Sequence, residues 1–186
     1  MFIQTEGTPN PATLKFLPGV EVMSPGRTAD FRDPENAAIS PLARRLFAID
    51  GVTGVYLGAE FVSVTKRDDV EWHHLKPPIL GAVMEHFTAG LPVIDENAEA
   101  KGGHNGDADM ADALVGQIVE LLDTRVRPVV AQDGGDIVFH GFNDGIVFLH
   151  MQGACSGCPA STMTLKNGIE NLLKHYIPEV QEVRAV

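Results

Sequence analysis

Cysteine is nearly absent: the chain of 186 residues has two, Cys155 and Cys158. That is too few for the disulfide framework that staples small secreted domains, and a bridge at this spacing would close only a very small ring. A reducing compartment is expected. Basic residues are also scarce, with 14 Lys and Arg against 25 Asp and Glu, for a formal net charge of −11. A phosphate backbone rewards clustered cations, so this reading excludes nucleic acid as a partner. No apolar run approaches the ~18 residues of a membrane span, and no membrane partner is expected. The amino-terminal MFIQTEGTPNPATLKF has neither the basic start and apolar stretch of a secretory signal nor the Arg-rich pattern of a transit peptide. The expected compartment is the cytoplasm, with a mature mitochondrial matrix form as the alternative. What the chain does have is 44% hydrophobic residues, enough to bury a core.

Asp95 to Asp109 is acidic, small and Gly-rich, without a large apolar residue. It cannot bury enough surface to order itself, and about 15 flexible residues reach roughly 20 Å. The expected organisation is a first domain over 1–90, a flexible linker over 91–109 and a second domain over 110–186. In the first, Phe2 to Thr5, Thr13 to Leu17, Val52 to Leu57 and Phe61 to Thr65 read as strands, the last two forming a hairpin around Gly58-Ala59-Glu60. Pro41 to Ile49 reads as a helix capped by Ser40, with Pro41 at its first position. A helix from about His73 to Thr88 contains Pro77-Pro78, which delay its expected start.

The second domain opens with a helix from about Met110 to Arg125, with Leu114, Ile118, Leu121 and Leu122 on one face and Pro128 as its stop. Strands Ile137 to Phe142 and Ile146 to Met151 flank Asn143-Asp144-Gly145, where an Asp-Gly pair supplies the positive φ of a tight turn. A helix from Pro159 to Tyr176 follows, then a strand at Val180 to Val183. The fold class is α+β: two small two-layer domains, the second in α-β-β-α-β order, with both cysteines in a strand-to-helix turn.

The free N–H groups of a helix starting at Pro159 favour thiolate over thiol. Gly153 and Gly157 let backbone approach a bulky ligand and point N–H groups at sulfur. Three chemistries compete for Cys155-x-x-Cys158: a dithiol redox pair, half a zinc site, or half an iron-sulfur site. The redox pair calls for a β-α-β setting, whereas these cysteines follow a hairpin. Zinc and clusters each want four ligands, and one chain supplies two thiolates. A dimer would complete either, and a 4Fe-4S cluster held by loops at a subunit junction would be easy to release.

The chain resembles the NifU-like proteins of the Nfu type, iron-sulfur cluster scaffolds and carriers. In the second domain the resemblance rests on Arg127-Pro128, Asp133-Gly134-Gly135-Asp136-Ile137, Gly153-Ala154-Cys155-Ser156-Gly157-Cys158-Pro159 with Ser161, and Thr164 to Glu170. In the first it rests on Met1 to Glu6, Thr8 to Phe16 and Ser40 to Ala43. It implies a 4Fe-4S cluster bridged by Cys155 and Cys158 of two subunits, received from an upstream assembly scaffold and handed to apo client proteins. It also implies a homodimer when cluster-bound, a carrier and not an enzyme. The rivals kept beside it are a thiol-disulfide oxidoreductase using Cys155 and Cys158 in turn and a zinc-bridged structural dimer.

Other polar groups read as structural. Asp133 and Asp136 suit a turn whose carboxylates cap backbone N–H groups, with a role beside the cysteine loop as the functional alternative. His150 reads as a strand histidine, and Lys166, Ser156, Ser161 and Thr164 as surface or capping groups. His73 and His74 are adjacent on a helix and point apart. The first domain shows no legible chemistry, and client binding is its expected role.

Overall fold

A computed structural model describes residues 1–96, 113–157 and 159–186, with nothing stated of the side chains of residues 159–161. The chain falls into two units, divided between residues 103 and 104.

In the first unit, β1 (Gln4–Gly7), β2 (Thr13–Leu17), β3 (Ala29–Phe31), β4 (Val52–Leu57) and β5 (Val62–Lys66) form one antiparallel sheet in the order β1-β2-β5-β4-β3. The β-branched runs of β4 and β5 suit a pleated, half-buried surface, and Val55, Val62 and Val64 line the core beneath α1 (Pro41–Phe47) and α2 (Trp72–Thr88). The helices contribute Leu42, Leu46, Leu75, Ile79 and Val83 to that core. Ser40 caps α1 as expected, its Oγ accepting from Ala43 N at 3.0 Å while donating to Val93 O at 2.6 Å. Asp95 N donates to Ile39 O at 2.8 Å. The chain therefore stays tied to the first unit through Val93 and Asp95, inside the span read as linker; residues 97–109 of that span lie outside the described residues.

Two expectations for this unit change. The helix α2 runs straight through Pro77 and Pro78 from Trp72. The carbonyls those prolines cannot serve belong to His73 and His74, both exposed and within reach of water. The short strand β3 and a 3-10 turn at Asn36–Ile39 were not expected.

The second unit begins, among the described residues, with α3 (Ala113–Leu121). A π turn (Leu122–Val126) follows, then α4 (Arg127–Gln132). Pro128 was expected to stop this helix. The π turn carries the chain past it instead: Arg127 N bonds to Leu122 O, five residues back, and the proline falls in the first turn of α4, where a missing N–H is tolerated. The sheet is β6 (Gly135–Asn143), β7 (Ile146–Gly153) and β8 (Glu182–Ala185), in that order. Asp144 and Gly145, at φ +49° and +78°, make the tight turn between β6 and β7. The core joins Ile118, Leu122, Val126 and Val130 to Ile137, Val147, Leu149 and Met151 of the sheet and to Ile169 and Leu173 of α5 (Pro159–Tyr176).

The strand β8 runs parallel to β7, so β7, α5 and β8 form a β-α-β unit around the cysteine turn. The reading that the cysteines lack a β-α-β setting is corrected here. Closing-strand pairing is a nonlocal choice, and the hairpin before the cysteines does not prevent one after them.

Candidate functional site

The strand β7 ends at Gly153, and the chain turns at once. Cys155 N donates to Gln152 O at 3.3 Å and Ser156 N to Gly153 O at 3.2 Å, while Ser156 Oγ returns to Gly153 O at 3.1 Å. The turn is fastened to the start of β6 by Ala154 N to Gly134 O, 3.2 Å. On its far side Thr162 Oγ1, in the first turns of α5, donates to Cys155 O at 3.0 Å. Cys158 lies outside the described residues.

Cys155 is 5% exposed and belongs to the apolar core. Its sulfur lies against Gly135. A methyl group added there would overlap Cys155 Sγ and come within 2.9 Å of Cys155 N and Gln152 O, so the position has room for glycine alone. Burial, with the Asp133 and Asp136 carboxylates adding to it, pushes the Cys155 thiol up to about 12. The expectation that the helix end would favour thiolate is corrected for Cys155. The field of a helix terminus fades within a turn, and α5 starts four residues further on, whereas burial acts directly on the sulfur.

The Asp133 to Asp136 turn does lie beside the cysteine. Its two carboxylates differ in role. Asp136 is buried and bound bidentately by Arg127, Nε to Oδ1 at 2.9 Å and Nη2 to Oδ2 at 2.8 Å, and its Oδ1 also accepts from Ile137 N at 2.8 Å. Arg127 Nη1 reaches Asp123 at 3.3 Å. Asp133 is exposed at the end of α4.

His150 Nδ1 meets Val186 O at 3.0 Å. Lys166 lies near Glu170 and Glu182, and Thr164 is exposed. The side chain of Ser161 is outside the described residues. His73 and His74 of the first unit, expected to point apart, bring their tilted rings to a centroid separation of 4.0 Å, and among the described residues no three His, Cys, Asp or Glu side chains gather to hold a metal ion. The sequence reading passed over Thr162; its signal was a hydroxyl in the opening turn of a helix whose preceding loop carries the chemistry.

Among the described residues no helix is long and apolar enough to cross a membrane. A two-layer unit with a cysteine turn between strand and helix, preceded by a five-stranded first unit, is the two-domain NifU-like architecture. The chain belongs to the Nfu/NifU family: residues 3–90 match the family "Scaffold protein Nfu/NifU N terminal" and residues 118–184 match "NifU-like domain". It is 50% identical, across its whole length, to the NFU1 iron-sulfur cluster scaffold homolog, mitochondrial, of Drosophila ananassae, and 49% identical to that of Drosophila sechellia. The chain spans 64% and 65% of those proteins' lengths. A solution structure of a NifU-like protein from Saccharomyces cerevisiae matches with TM-score 0.47 and 27% identity, over 52% of this chain and 87% of that one.

Proposed function

We propose that this protein is a carrier of iron-sulfur clusters, not an enzyme, which holds a 4Fe-4S cluster between two copies of itself and passes it to apo client proteins. The ligands are Cys155 and Cys158 of each copy, and an upstream scaffold supplies the cargo. The observation that carries this reading is the ligand count: a NifU-like domain with two cysteines completes a four-thiolate set only when a second chain brings its own pair. Loading must then release protons, because ligands bind deprotonated and the Cys155 thiol is held protonated. The proposal keeps the domains at 1–90 and 110–186 with a linker between them, and the matches over 3–90 and 118–184 support that division, although Val93 and Asp95 at the head of the 91–109 span stay bonded to the first unit. It assigns client binding to the first domain. The relatives' names carry the word mitochondrial, which favours the matrix over the cytoplasm; both are reducing, as free thiols require.

A dithiol oxidoreductase is the second reading, favoured by the β-α-β unit around the cysteines. Against it stands a Cys155 thiol pushed up to about 12, since disulfide exchange is driven by thiolate. Anaerobic reconstitution with iron and sulfide decides between them. The expected product is a dimer with broad thiolate-to-iron absorption and four irons per two chains, able to activate an apo enzyme and lost on Cys158→Ser. A colourless monomer that cycles between dithiol and disulfide would overturn the carrier reading, and a colourless zinc-bound dimer would replace it with a structural one.

A further inference from the structure

The cysteine chemistry makes no use of Glu170, a residue of α5. Its carboxylate nevertheless makes two bonds. Oε1 takes Lys174 Nζ, one turn further along the helix, at 2.6 Å, and Oε2 accepts from Val183 N of β8 at 3.1 Å. Lys174 first, and then that N–H, hold the carboxyl below its usual pKa, so at neutral pH it is an acceptor only. The strand it reaches is an edge: among the described residues β8 pairs with β7 and with no other strand. Glu182 N and Val186 N donate toward β7, to Gly145 O at 3.2 Å and Leu149 O at 2.9 Å. Backbone N–H groups alternate sides along a strand, so Val183 N faces away from β7. Glu170 occupies this outward donor.

A row of outward backbone groups is a template for a further strand. The other edge of the sheet, β6, is interrupted by a bulge between Phe139 and Gly141, whereas β8 keeps unbroken register with β7. The sequence of β8 also complements itself. When two copies pair antiparallel about Val183, the two Val183 residues exchange backbone bonds, and Glu182 of each copy faces Arg184 of the other. We propose that β8 is a self-complementary edge for a second copy of this chain, and that Glu170 keeps it closed by occupying Val183 N. Withdrawal of the carboxylate opens the edge, and two copies join there strand to strand. This contact needs no cargo and uses neither cysteine, so it stands apart from the carrier reading.

The test uses the full chain, reduced and with a chelator present, so that neither a disulfide nor a metal joins copies. Glu170→Ala removes the acceptor; Glu170→Gln keeps an acceptor oxygen in its place. Sedimentation velocity over a concentration series reads self-association, and hydrogen exchange in dilute solution reads the Val183 amide. Expected in Glu170→Ala are self-association at least about tenfold tighter and Val183 exchange at least about tenfold faster than in the parent, with Glu170→Gln within about threefold of the parent in both. Ala185 N, like Val183 N, faces outward, so a proline there costs no bond to β7 and blocks an incoming strand. Adding Ala185→Pro to Glu170→Ala should return association to the level of the parent. The proposal is overturned by unchanged Val183 exchange or unchanged association in Glu170→Ala, and equally by association that survives Ala185→Pro or is shared by Glu170→Gln. Thermal unfolding is followed in every variant; association that only tracks a lowered melting temperature also overturns it, because unfolded chain and not the edge would then be the cause.

Discussion

A thiol held near 12 behaves as a small apolar side chain at neutral pH, and two causes put Cys155 there. Burial is the larger, and the neighbouring carboxylates of Asp133 and Asp136 follow. They are separable, because Asp133 is exposed and Asp136 is fixed by Arg127. In the Cys158→Ser background, Asp133→Asn should bring the thiolate absorbance midpoint below about 12, while Asp133→Glu should leave it near the parent value; an unmoved midpoint in Asp133→Asn would leave burial and Asp136 as the causes. The shift also fixes a sign for stability. Below the ordinary thiol value of 9.0 the folded and unfolded chains both carry the proton; from there to about 12 only the folded chain keeps it, so stability falls as pH rises through that window. None of this was legible around the cysteines themselves. Their polar, Gly-rich neighbourhood suggests exposure, and the wall that buries Cys155 is Gly135, which lies twenty positions away in sequence and meets it only because β6 pairs with β7.

The π turn shows what helix periodicity could and could not give. The apolar spacing of Ile118 and Leu122 correctly marked a core-facing helix, but Pro128 was read as a stop because proline forbids an interior α-helical bond. A single wider turn evades that rule, and no sequence signal distinguishes it from a break. The turn also sets where Arg127 reaches, onto Asp136 and back to Asp123. Removing the guanidinium would leave the Asp136 carboxylate, 3% exposed, buried without a counter-charge. Arg127→Met should therefore cost about 3–5 kcal/mol of second-unit stability, read from urea unfolding; a loss under about 1 kcal/mol would mean water replaces the arginine. Elsewhere local chemistry sufficed: Ser40-Pro41 marked the start of α1, Asp144-Gly145 marked the turn, and α5 was placed over Pro159–Tyr176. The strand β3, three residues long, offers too short a pattern to read.

At the scale of the molecule the two units carry opposite sensitivities to pH. The imidazole of His86 is fully buried in the first unit against Phe87, and among the described residues neither ring nitrogen completes a hydrogen bond. Burial, with Arg45 nearby, holds its pKa below the usual histidine value, and backbone at Pro92 and Leu91 opposes this without overcoming it. The unfolded chain then takes up a proton below about pH 6.5 that the folded chain refuses, so the first unit loses stability as pH falls through that range. The sole tryptophan, Trp72, lies in this unit and reports on it alone. Its fluorescence melting temperature should fall between pH 7 and pH 5 and hold steady in His86→Leu; equal acid sensitivity in that variant would place the cause elsewhere. Alkali, by way of Cys155, should act on the second unit instead. The parallel pairing of β8 with β7 also sets an order of assembly. The β6-β7 hairpin closes through a two-residue turn and can form within microseconds, but β8 must wait until all of α5 has been made and folded back, a longer loop to close. The cysteine turn lies between those events, so a newly made chain exposes its thiols to oxidant and stray metal until its last strand docks.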